Sequence, residues 1–116
     1  MNNNYKYHSR SITKHKMVKH KLDDNEILLF KLDSSFQIVT VVPFINNNEL
    51  LNVKAIMNIA IKSEINYIVI VSKKNIDSVS FKKYRKAFLY LEIELKDFIF
   101  IDDDEYYSYH DNKFLK

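Results

Sequence analysis

Apolar and polar positions change rhythm several times along this chain. Residues 1–22 show no apolar periodicity and read as a loop or arm. From Glu26 the pattern changes. Glu26-Ile27-Leu28-Leu29-Phe30-Lys31-Leu32 is a short apolar run that reads as a strand. Asp33-Ser34-Ser35 is a turn signal, because Asp and Ser can bond their own backbone. Gln37 to Phe44 is rich in β-branched residues and reads as a second strand, antiparallel to the first. Pro43 fits its end or a sheet edge, where no ladder donor is needed. Asn46-Asn47-Asn48 is a connector. Over 49–63 the spacing becomes helical: Leu50, Val53, Ile56, Met57, Ala60 and Ile61 share a stripe, while Lys54, Asn58 and Lys62 face away. Tyr67-Ile68-Val69-Ile70-Val71 is continuously apolar, as a central strand covered on both faces requires. Residues 72–80 are polar. A second helix follows, with Phe81, Tyr84, Phe88 and Leu91 inward and Lys82, Lys83, Arg85 and Lys86 outward. Phe98 to Ile101 is a strand, Asp102-Asp103-Asp104 a turn, and Tyr106 to Tyr109 a last strand. Tyr106, Tyr107 and Tyr109 alternate across it, which predicts an exposed tyrosine side near a sheet edge. The order β-β-α-β-α-β-β implies a mixed sheet with helices packed on it.

Composition narrows the chemistry. The 116 residues include no Gly, no Cys, no Trp and one Pro. Without glycine there is no phosphate-cradling loop, dinucleotide fingerprint or nucleophile elbow. Without cysteine there is no disulfide, thiolate nucleophile or cysteine-ligated zinc. The length suits one domain.

The net charge of +3 hides an asymmetry. Residues 1–22 carry Lys6, Arg10, Lys14, Lys16, Lys19 and Lys21 and no acid, so the remainder is acidic. Such a segment reads as a solvated, flexible arm, or as one that neutralises phosphates. No apolar h-region follows these charges, and no run approaches the ~18 apolar residues of a membrane span. A cytoplasmic protein without membrane contact is the expectation.

The C-terminal third carries a resemblance. Leu91-Glu92-Ile93-Glu94-Leu95-Lys96-Asp97-Phe98-Ile99-Phe100-Ile101, followed by Tyr106-Tyr107-Ser108-Tyr109, resembles the ending of RadC-type JAB/MPN domains. That ending runs L-G-I-x-L-x-D-H-x-I-I, then a turn, Y-Y-S-F and a terminal G-L-L, where this chain has Phe114-Leu115. Upstream, Leu32-Asp33-Ser34 resembles the family's L-D-S turn. Val53-Lys54 through Ala60 resembles its first helix, and Ile68 to Val71 the strand before its metal motif. The resemblance covers about residues 24–116 and, together with the charge asymmetry, divides the chain into a basic arm, 1–22, and a domain over 23–116. It implies a three-layer α/β fold, a mixed β-sheet with flanking helices of the cytidine-deaminase-like JAB/MPN type. It also implies a zinc site for metal-assisted hydrolysis: H-x-H-P-S-G after the central strand, a distant Asp, and a Glu general base on an early strand.

Position by position, that site is missing. The first histidine position holds Ser72 and the second holds Lys74, whose ammonium has no lone pair and repels a cation. The P-S-G turn is absent. The Glu position falls within Thr40-Val41-Val42, which has no carboxylate. Counting back from Ile93 places Asp77 at the third ligand. Asp77 can instead cap the second helix, as could Ser78 or Ser80. His15 and His20 lie five apart among cations, and His110 precedes Asp111 near the terminus; neither arrangement suits a metal. Asp102 to Asp104 lack the spacing and glycine of a calcium loop. No cofactor or metal is expected.

The leading functional expectation is therefore a catalytically inactive RadC-like domain, a binding or scaffolding module with a protein partner or a second copy. The alternative is a nucleic-acid-associated, DNA-repair-like accessory protein. It would use Lys14, Lys16 and Lys19 of the arm with Lys82, Lys83, Arg85 and Lys86 of the second helix. A hydrolase rebuilt around Asp77 is a third reading.

Overall fold

A computed structural model describes residues 6–20, 22–47, 51–62 and 66–115. Lys21, Asn48, Leu50 and both ends of the helix expected over 49–63 lie outside them. The elements are α1 (Ser9–Thr13), α2 (Lys16–Lys19), β1 (Glu26–Leu32), β2 (Ile38–Ile45), α3 (Val53–Lys62), β3 (Tyr67–Ser72), α4 (Ser78–Leu89), β4 (Glu94–Asp102), β5 (Glu105–Ser108) and β6 (Lys113–Leu115). Among the described residues the strands form one six-stranded mixed sheet in the order β2-β1-β3-β4-β5-β6. Every neighbouring pair is antiparallel except β3 and β4, which α4 joins as a crossover.

β2 is an edge strand, which accounts for Pro43. Asn46 N–H donates to the Asn25 carbonyl at the end of the β1–β2 ladder. Alternation along the ladder then turns the Pro43 nitrogen away from β1, where a missing donor costs nothing. At the other end, Lys31 pairs with Thr40 and Leu32 with Ile38, so Val39 is an extra, bulged residue.

Both faces of the sheet are covered. On one face, Ile27, Leu29, Ile68, Ile70, Leu95 and Phe98 pack against Ile56 and Ala60 of α3 and Phe81 and Phe88 of α4. On the other, Leu28, Phe30, Leu32, Val69, Val71, Ile99 and Ile101 pack against Tyr7, Ile12, Val18 and Leu22. The N-terminal segment is thus not a loose arm. From Tyr7 onward it holds two short helices and supplies the second cover of the sheet. The continuous apolar runs of β1 and β3 demand such a cover, because every second side chain on that face needs a dry neighbour.

Other expectations shift locally. Ile61 is half exposed, and Ile59 packs against the core instead. Leu91 lies beyond the end of α4 and is exposed. β6 is an additional strand that takes the sheet edge. The tyrosines inside it are consequently half-buried: Tyr106 packs on the N-terminal side, Tyr109 on the helical side, and Tyr107 sits between the rings of Tyr109 and Phe114.

The end of α4 shows how a chain without glycine closes a helix. Ile93 N–H donates to the Phe88 carbonyl at 3.1 Å and Glu92 N–H to the Leu89 carbonyl at 2.9 Å, the bond pattern of a Schellman motif. Its left-handed position is filled by Glu92, with φ 59°. A Cβ there costs about 1 kcal/mol. Glu92→Gly is expected to raise stability by about that amount, read as a higher denaturant midpoint at unchanged m value. A lower midpoint would show that the Glu92 side chain compensates for the strain.

Candidate functional site

In a sheet of this kind, ligands gather at the carboxyl ends of parallel strands. Here β3 ends at Ser72, and the chain passes through Lys73 to Asp77 into α4. Ser72 is fully buried, and its Oγ accepts the Lys74 N–H at 2.9 Å. Lys74 folds back so that Nζ donates to the Asn46 carbonyl at the end of β2, 3.3 Å away. Asp77 is the N-cap of α4: its Oδ1 accepts the Ser80 N–H at 2.6 Å. That bond and the Ser80 hydroxyl hold its carboxyl below the ordinary aspartate value. The Tyr109 hydroxyl donates to the Ile76 carbonyl, with Asn75 Oδ1 2.8 Å away, and its ring stacks on Phe81. A cavity of about 490 Å³ opens beside these groups, lined by Leu51, Lys74, Asp77, Ser80, Tyr84 and Tyr109.

The structure therefore brings Ser72, Lys74 and Asp77 to one end of the sheet, each with a local bond already made. Thr40, Val41 and Val42 lie on the edge strand. Among the described residues no group of three His, Asp or Glu side chains is arranged to hold a metal ion. His15 caps α2, its Nδ1 accepting the Met17 N–H at 3.2 Å.

A second polar cluster lies on the opposite face. Between Leu95 and Asp97 the β3–β4 register shifts by one residue, leaving Lys96 unpaired. Strict alternation would aim Asp97 at the α4 side with Leu95. The bulge turns it to the N-terminal side instead. There Asp97 is fully buried and accepts the Tyr7 hydroxyl at 2.6 Å, the Ser108 hydroxyl at 2.7 Å and the His110 N–H at 2.9 Å. Burial raises the Asp97 pKa, outweighing these three donors. Burial and the Asp97 carboxyl also push the Tyr7 hydroxyl up, so it remains a proton donor. Ser9 donates to Asp111, whose Oδ1 lies 3.1 Å from His110 Nδ1. Although burial alone would raise Asp111, the Ser9 hydroxyl and His110 hold it below its ordinary value. The sequence reading places Asp97 and Ser108 only inside a motif. The signal for more was a lone carboxylate within the apolar run Leu95 to Ile101.

The cationic residues fall into two separate groups. Lys14, Lys16 and Lys19 belong to the N-terminal cover on one side of the sheet. Lys82, Lys83, Arg85 and Lys86 belong to α4 on the other. All seven are exposed, the first group on the N-terminal side of the sheet and the second on its helical side. Lys73 pairs with Asp24 at 3.7 Å.

No protein-family model matches the chain, and no curated protein matches it either. Among the described residues, no helix is long and apolar enough to cross a membrane.

Proposed function

We propose that the chain is a metal-free binding module of the RadC-like JAB/MPN type, whose role is to engage a protein partner and not to hydrolyse a substrate. The observation that carries this reading is the condition of the Ser72–Asp77 segment. A resident zinc would need lone pairs from all three positions. Instead, Ser72 is buried against the Lys74 amide, Lys74 offers an ammonium already donated to a carbonyl, and Asp77 is occupied in capping α4. Support for the family comes from Asp97 and Ser108. These polar residues of the two motifs that suggested it hydrogen-bond to each other. The nucleic-acid reading is the alternative, with its two cation groups on opposite sides of the sheet.

Purified protein incubated with zinc and then desalted is expected to retain less than stoichiometric metal, and zinc is expected not to raise its melting temperature. Asp77→Ala is expected to cost about 1 kcal/mol as a lost helix cap and to leave zinc behaviour unchanged. Stoichiometric zinc, with a melting-temperature rise abolished by Asp77→Ala, would overturn the proposal.

A further inference from the structure

The outer face of α4 carries a stripe with an unusual order. Val79, Lys82, Lys83, Lys86, Leu89 and Tyr90 follow one another at the three- and four-residue steps that align side chains on one side of a helix. The ends are apolar and open to solvent: Val79 is 74% exposed, Leu89 58% and Tyr90 89%. The centre is cationic. No acid occurs from Ser78 to Leu91, and among the described residues none of these lysines forms an ion pair. Arg85 is turned aside, its guanidinium lying over the Phe81 ring at 5.6 Å. Lys82 and Lys86 are four apart and Lys83 and Lys86 three apart, so the stripe places like charges side by side, which weakens a helix. An anion lying along it would relieve that repulsion.

We infer that this face docks an acidic amphipathic helical segment of a partner protein, with carboxylates on its middle turn and apolar side chains on its end turns. The inference rests on the binding-module reading and names the chemistry of the partner. The stripe runs about three helical turns, roughly 17 Å, which one facing helix of similar length would cover. Phosphates would match the lysines alone. They offer nothing to Val79 and Leu89, whereas apolar side chains at both ends of a helix would bury them. The chain's own acidic run, Asp102 to Glu105, sits on the tight β4–β5 turn and lacks a flanking apolar helix surface, so a second copy fits less well.

The full chain is titrated with two synthetic helical peptides about 14 residues long. Both have leucines on the end turns; one has glutamates on the middle turn, the other lysines. A duplex and a single-stranded DNA oligonucleotide serve as further probes, and light scattering follows self-association. The glutamate peptide is expected to bind and the lysine peptide not. Combined Lys82→Glu, Lys83→Glu and Lys86→Glu is expected to weaken binding about tenfold or more. Combined Leu89→Ser and Tyr90→Ser is expected to weaken it about fivefold. Unchanged melting of each variant shows that the fold is kept. Failure of the glutamate peptide to bind, or equal binding of both peptides, overturns the inference. So does tighter binding of DNA that is lost in the lysine variant alone, or a dimer that the lysine variant dissolves. Zinc uptake with peptide binding intact would count against the metal-free reading only. Absence of both would count against this face only.

Discussion

Deleting residues 1–22 is expected to leave a chain that does not fold, whatever happens to its charge. The deletion strips the sheet of Tyr7, Ile12, Val18 and Leu22, and with them the cover over Leu28, Phe30, Leu32, Val69, Val71, Ile99 and Ile101. Each such side chain contributes about 1.5–3 kcal/mol when fully buried. Exposing even half of that area is comparable to the roughly 5–15 kcal/mol by which a domain is stable. The expected result is loss of a cooperative thermal transition and strong binding of an apolar dye. A finer version uses Ile12→Asp, which puts a carboxylate at a position with no solvent exposure and is expected to cost at least about 3 kcal/mol. Reversing the charges of exposed Lys14, Lys16 and Lys19 to Glu is expected to change stability by no more than about 0.5 kcal/mol each. A truncated chain that melts like the intact one would refute this account. It follows that lost nucleic-acid binding after deletion of 1–22 would report unfolding, and only the charge reversals can test the lysines themselves.

The same segment marks the boundary of what the sequence makes legible. β1 to β5 and the two longer helices are readable because each is long enough for its pattern to show: apolar, aromatic or β-branched runs for strands, a three-to-four spacing for Ile56 and Ala60 or Phe81, Tyr84 and Phe88. The N-terminal cover is built differently. α1 and α2 have five and four residues, too few for a period, and a break between them resets the phase. Their apolar residues are therefore scattered at irregular intervals among lysines, and the lysines dominate the reading. The missing cover was nevertheless implied by β3. A strand apolar on both faces needs two layers, and in the structure α3 and α4 both pack on the same face. β6 is three residues long and lies below the length at which alternation is informative.

At the carboxyl end of β3 the sequence was more informative, because chemistry depends on residue type before geometry. A lysine cannot ligate zinc wherever it points, so Lys74 could be judged without coordinates. For Asp77 the sequence leaves capping and ligation open, and the bond to Ser80 shows it capping α4. Asp97 is the opposite case. Its side is set by a bulge at Lys96, and a one-residue shift in register has no marker in a single sequence.

Asp97→Ala is expected to cost about 3 kcal/mol or more, because it leaves the Tyr7 hydroxyl, the Ser108 hydroxyl and the His110 N–H without their acceptor in a dry site. Tyr7→Phe removes one donor and leaves the carboxylate with two, so its expected cost is about 1–2 kcal/mol. Both substitutions break the same tie between the N-terminal segment and β4. The double variant is therefore expected to lose less than the sum, with a coupling of about 1 kcal/mol. Full additivity would mean that the two side chains do not act on each other. The pH dependence gives a second readout. Burial raises Asp97 above its ordinary value, so the folded state holds the proton more tightly than the unfolded chain. The resulting contribution is complete below the ordinary carboxylate pKa of about 3.9 and is lost as pH rises through the raised value. Asp97→Asn cannot titrate and is expected to remove that fall in stability above about pH 4, while keeping one oxygen to accept a donor. If the wild type and Asp97→Asn show the same slope of stability against pH, the proton on Asp97 plays no part in holding the N-terminal segment to the sheet.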